Sequence, residues 1–205
     1  FANTFWCDQL KQQGVPGDRV VGLSFFGRWS FDACRDRLIA AVDERWPAAD
    51  PAWTTEVDVV AFSMGGLVAR YAAAEPWSDG TTPRRLRVRR LFTISTPHRG
   101  ARLARLPALD ARVVDMRPGS DFLGRLDAAL ADADYALTPY TRLGDWVVGP
   151  ENTAPPGRNP HWVPTPVLHR QHQEAYRDPR IRADILRRLR DESPLTTEPP
   201  APLPD

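Results

Sequence analysis

Residues 57–74 constrain this chain more than any other stretch. Val57-Asp58-Val59-Val60-Ala61-Phe62 is a β-branched run that reads as a buried strand, and Leu67 to Ala74 follows as a helix ended before Pro76. Ser63-Met64-Gly65-Gly66 leaves room between them only for a sharp turn. Ala61 and Gly65 flank Ser63 at two residues on either side, and both are small, as expected where a strand and a helix approach closely. Such a turn places Ser63 in a strained backbone conformation and lifts its hydroxyl above the sheet edge. The hydroxyl then stands at a helix N-terminus, where a developing negative charge is favoured and the Met64 N–H points at it. The plainer alternative for the same residues is a glycine-rich helix start with a capping serine.

The remainder of the chain alternates in the same way. A helix is expected from Asn3 or Thr4 to Gln13, ended by Gly14, and Val20 to Phe25 reads as a buried strand. Ser30 caps a second helix through Phe31, Cys34, Leu38, Ala41 and Val42, which Pro47 stops. Further strands are expected at Leu86 to Ser95, Tyr135 to Tyr140 and, more weakly, Trp162 to Leu168. A helix lies near Phe122–Ala131, and Asp178-Pro179 opens a last one through Ile181, Ile185, Leu186 and Leu189. Strands alternating with helices give an α/β fold with a mostly parallel sheet covered on both faces. With 205 residues the chain is long enough for one such domain, over residues 1–192, and a Pro-rich tail at 193–205 reads as disordered or extended.

Composition excludes several function classes. A formal charge of +1 offers no electrostatic footprint for nucleic acid. No apolar run approaches bilayer length and no signal peptide is visible, so the chain reads as cytoplasmic or secreted without a transmembrane segment. Cys7 and Cys34 lie in candidate helices and read as two free thiols.

The run Val57 to Tyr71, with Ala61-Phe62-Ser63-Met64-Gly65 at its turn, resembles the serine motif of α/β-hydrolases, in particular bacterial lipases and esterases. Ala61 stands where the usual pattern has glycine. Leu91 to Ala101, with Thr96-Pro97-His98-Arg99-Gly100, is similar to the T-P-H-x-G loop of the same family. The resemblance implies that Ser63 is the nucleophile of a carboxylic-ester hydrolase working through an acyl-enzyme, on a small-molecule or lipid ester, with no cofactor and no metal. It also implies a catalytic acid and then a histidine, in that chain order.

Asp145, in Leu143-Gly144-Asp145-Trp146-Val147-Val148, matches the family's D-x-x-V segment and is the expected acid. Asp115 and Asp121 look structural, and Asp132 and Asp134 look like surface or cap residues. Four histidines are present. His98 precedes the acid and reads as part of the site wall; His161 precedes the last strand, at the wrong edge of the sheet. His169 and His172 both stand where the base belongs. The resemblance favours His172, six residues before Asp178, with His169 the alternative.

Family members carry a strand and a His-Gly pair upstream, and the next residue supplies a second oxyanion N–H. Phe1 to Trp6 looks like the stretch that follows such a pair. The expectation is a domain incomplete at its N-terminus, with Met64 and Phe1 as the two oxyanion donors. The Pro-rich connection from Val148 to Trp162 is either a rim over the site or a rigid crossover. Arg84, Arg85, Arg87, Arg89 and Arg90 suggest peripheral contact with an anionic lipid surface or, more simply, a solvated strand entry. Competing readings are an acyltransferase or amidase on the same fold, and a non-catalytic domain used for binding.

Overall fold

The computed structural model describes residues 2–105, 110–165, 171–200 and 203. Four parallel strands lie side by side in chain order: β1 (Val57–Phe62), β2 (Val88–Ile94), β3 (Ala136–Arg142) and β4 (His161–Val163). The helices are α1 (Ala2–Gln12), α2 (Phe31–Arg45), α3 (Met64–Ala73), α4 (Ala111–Asp115), α5 (Asp121–Ala131), α6 (Gln171–Glu174) and α7 (Pro179–Leu189).

The period-two pattern of β1 explains why the sheet is covered on both sides. Val57, Val59 and Ala61 join the larger apolar core with α2, α3 and α5. Val60 and Phe62 join the second core with α1 and α7, through Trp6, Ile181 and Ile185. Helices α2 and α7 enter with the expected chemistry. The Ser30 hydroxyl accepts from the Ala33 N–H at the start of α2, and the Asp178 carboxylate accepts from the Arg180 N–H at the start of α7, where Pro179 occupies the first turn.

Two expectations are corrected, those for Val20 to Phe25 and for His161. Val20 to Phe25 forms no strand and joins no sheet among the described residues. Its apolar side chains are satisfied otherwise: Leu23 and Phe25 pack on the larger core, and Gly22 lies so close to α1 that a Cβ would meet Cys7 Sγ at 2.6 Å. Side-chain burial, not a ladder, holds this run. The start of the Pro-rich tail is bonded to α7: the Leu195 N–H donates to Asp184 at 2.6 Å, and Arg188 donates to the Thr196 carbonyl at 2.6 Å. Finally, His161 is the first residue of β4 rather than a residue before it, and its Nδ1 lies 3.0 Å from Thr196 Oγ1.

Both cysteines are free. The five arginines around β2 have protein partners. Arg84 pairs with Asp43, Arg85 lies over Trp53, Arg87 pairs with Glu56, and Arg89 and Arg90 share Asp58. Four of the five thus face a carboxylate, and Arg85 an aromatic ring. No helix among the described residues is long and apolar enough to cross a membrane.

Candidate active site

The site forms where β1, β2 and β3 end. Ser63 is the single residue between β1 and α3, with φ 52° and ψ −130°, a conformation that side chains other than glycine rarely hold. Strain of this kind costs about 1–3 kcal/mol and persists only where the surroundings fix it. They do so here. The Ser63 N–H donates to the Ile94 carbonyl at 2.8 Å, and the Ser63 carbonyl accepts from the Gly66 N–H at 3.1 Å and from Thr96 Oγ1 at 2.7 Å.

Ser63 occupies the N-cap position of α3, yet its side chain makes no capping bond. Its hydroxyl lies instead 3.0 Å from His172 Nε2. His172 Nδ1 in turn lies 2.8 Å and 3.1 Å from the two carboxylate oxygens of Asp145. With the carboxylate accepting from Nδ1–H, Nε2 is left to accept from the serine hydroxyl.

Each partner is placed by its own element. Asp145 follows β3 in a tight turn and is fully buried; its Oδ1 also accepts from the Val148 N–H, and its carbonyl from the Gly149 N–H. His172 sits on the short helix α6, with its ring 5.1 Å from that of Phe62, the residue before the serine. Arg142, at the end of β3, donates to Asp178 at 2.9 Å. This buried pair ties the limb carrying Asp145 to the limb carrying His172. Burial raises the Asp178 pKa, but the Arg180 and Arg142 guanidiniums outweigh it and hold that carboxyl below the usual range.

The structure thus brings Ser63, His172 and Asp145 together. Met64 is the first residue of α3, so its N–H has no acceptor within the helix. Phe1 and His169 lie outside the described residues. His98 is not a wall residue: it is fully buried, with Nδ1 3.0 Å from Arg70 Nη1 and Nε2 2.9 Å from Thr93 Oγ1. Burial, reinforced by Arg70, pushes its pKa well below the usual imidazole range.

The sequence reading also misplaced the tight contact of the elbow. A Cβ on Gly65 would meet Ala61 and Phe25 only at ordinary contact, 3.9 and 4.0 Å. One on Gly66 would lie 2.3 Å from Thr96 Oγ1 and 2.9 Å from Thr93 Cγ2. The close approach is therefore between α3 and the segment leaving β2. The doubled glycine was the available signal. The connection after Asp145 is anchored to the segment leaving β2: the Arg99 N–H donates to the Asn152 carbonyl, and its guanidinium to the Pro155 and Arg158 carbonyls. No cluster of potential metal ligands occurs among the described residues.

A family model described only as a domain of unknown function, DUF7379, matches residues 36–118, a stretch that holds Ser63 and Thr96 but neither Asp145 nor His172. No curated protein matches the chain. Phospholipase PlaB from Legionella pneumophila, solved in complex with thio-NAD, is similar in structure. Its TM-score is 0.53 at 16% identity, over 75% of this chain and 41% of that one. A second structure of the same phospholipase gives 0.52 at 16% identity, over 75% and 43%. The chain spans less than half the length of either. The likeness shows the fold, a parallel sheet of α/β-hydrolase type.

Proposed function

We propose that the chain is a serine hydrolase of carboxylic esters, an esterase or lipase. The observation that carries this reading is the strained Ser63 whose hydroxyl lies 3.0 Å from His172 Nε2, with Asp145 2.8 Å from Nδ1. A serine hydroxyl is a weak nucleophile until a base takes its proton, and a buried carboxylate fixes the tautomer in which Nε2 can do so.

In the first step Ser63 Oγ attacks the ester carbonyl carbon and its proton passes to His172 Nε2. The imidazolium is paired with Asp145. The tetrahedral oxyanion is stabilised by the Met64 N–H at the positive end of α3. Collapse breaks the bond to the alkoxy oxygen, which takes the proton from His172 and leaves as the alcohol. Water, deprotonated by His172, then attacks the acyl-enzyme and releases the acid. A lipid ester is the favoured substrate class, since the similar fold is that of a phospholipase.

The test is hydrolysis of p-nitrophenyl esters of several acyl lengths, with products analysed with and without an alcohol acceptor. A burst of p-nitrophenol followed by free acid is expected, and Ser63→Ala brings turnover to background while the circular dichroism spectrum is kept. Ester cleavage that survives Ser63→Ala would contradict the assignment. Acyl transfer that outruns hydrolysis would replace the hydrolase by a transferase.

A further inference from the structure

We infer that Thr96 is a positioning residue for Ser63: its hydroxyl clamps the carbonyl of the nucleophile and fixes the strained turn in the geometry that attack requires. The inference rests on the ester-hydrolase reading.

Thr96 is fully buried, and its Oγ1 donates to the Ser63 carbonyl at 2.7 Å. A carbonyl at a helix N-cap ordinarily serves the helix alone. This one accepts a second bond, from outside the helix, besides that from the Gly66 N–H. The hydroxyl reaches it because α3 presents glycine at 66; any side chain there would collide with Thr96. Gly66 and Thr96 are thus complementary halves of one contact.

The clamp also has a rigid base. Thr96 follows Ser95, which leaves β2 with φ 51° and whose N–H donates to the Tyr140 carbonyl at 2.8 Å. The Thr96 carbonyl accepts from the His98 N–H at 2.9 Å. The His98 ring is held in turn by Thr93 and Arg70, and Arg70 by Asp127 at 2.8 Å. Ser63 is therefore gripped at its N–H by Ile94, the end of β2, and at its carbonyl by Thr96, two residues further on. With both peptide groups fixed, χ1 rotation is the main freedom left to Oγ. Releasing the carbonyl lets the left-handed turn relax and the hydroxyl drift from Nε2, and small misplacements of a reacting atom are costly in rate.

The residue acts through Ser63 and not on substrate, so the rate of the chemical step should fall at unchanged substrate binding. In the full chain, Thr96→Val removes the hydroxyl at nearly constant shape, and Thr96→Ser restores it. Fluorophosphonate labelling of Ser63 and p-nitrophenyl ester kinetics are measured on wild type and both variants, with thermal unfolding to confirm folding. Thr96→Val is expected to lower kcat and the labelling rate about tenfold, the loss of one buried hydrogen bond, with KM and the pH profile unmoved. Thr96→Ser should come within about twofold of wild type.

A folded Thr96→Val with wild-type rates overturns the inference, as does a Thr96→Ser as slow as the valine variant or a change in KM alone. If the valine variant does not fold, Thr96→Ala against Thr96→Ser decides: a gap of about tenfold supports the clamp, and equal rates refute it. A folded wild-type chain that takes no adduct sinks the ester-hydrolase reading itself, a result distinct from any the Thr96 variants give.

Discussion

His98 and His172 are both buried imidazoles with a partner on each ring nitrogen, and their surroundings are opposite. His98 lies between the Arg70 guanidinium and the Thr93 hydroxyl, with no exposure at all. His172 lies between the Asp145 carboxylate and the Ser63 hydroxyl, 9% exposed. A proton added at His98 meets the Arg70 guanidinium in a dry pocket; the His172 ring faces the Asp145 carboxylate instead. The first ring can only hold structure, here the loop that carries Thr96. The second is the ring that the proposed mechanism uses to carry a proton. Hydrogen-bond count alone does not separate the two; the sign of the neighbouring charge does.

The largest expected effect follows from disabling the second pocket. His172→Ala should lower ester turnover by about 10⁴-fold or more, and Asp145→Asn by about 10⁴-fold, since each leaves the serine without a correctly oriented base. Both are read on the folded fraction, because removing either partner of this buried pair also costs stability. Turnover within tenfold of wild type in either would break the comparison.

The reverse outcome is expected at His98. Its removal by His98→Ala leaves a buried guanidinium nitrogen and the Thr93 hydroxyl without a partner, at a cost of about 2–4 kcal/mol. For a chain of this size that lowers the melting temperature by roughly 5–15 °C. The kcat of the folded fraction should stay within about tenfold of wild type. A fully stable but inactive His98→Ala would show that the two rings are not divided in this way.

A smaller effect sharpens the electrostatic half of the comparison. A histidine held well below its ordinary pKa binds fewer protons in the folded chain than the free imidazole does in the unfolded one. Stability is then whole above the free value of about 6.5 and is lost as pH falls below it, by at most about 1.4 kcal/mol per pH unit. His161, lowered by burial and by Arg188, contributes with the same sign. Urea unfolding between about pH 5 and 6.5 should therefore give a shallower slope for His98→Gln than for wild type. Equal slopes would remove Arg70 and burial as the reason for the neutral ring.

How far the sequence reveals this arrangement depends on how local each feature is. Ser63 is readable because strand, turn and helix are contiguous, and the small residues that permit the turn lie within three positions of it. The β-branched periodicity of β1 likewise foretells which residues face each core. Val20 to Phe25 misleads for the opposite reason: an apolar run reports burial, and only its neighbours decide whether burial comes with a ladder. Order along the chain left His169 and His172 both open, and only the family resemblance favoured His172 and Asp145; the contact of those two is closed by the Arg142–Asp178 pair and by Phe62, which no spacing displays. The roles of His98, Thr93 and Thr96 depend on contacts between α3 and the segment leaving β2. The doubled glycine at 65–66 hints at them without saying which glycine is needed.

The most direct measurement is peptide-mapped labelling of the chain with a fluorophosphonate, in which Ser63 Oγ forms a bond to phosphorus, fluoride leaves and His172 takes the proton. A single adduct on Ser63 is predicted, formed in wild type and slowed by orders of magnitude in His172→Ala. A folded chain with no adduct, or with one on another serine such as Ser95, would contradict the account.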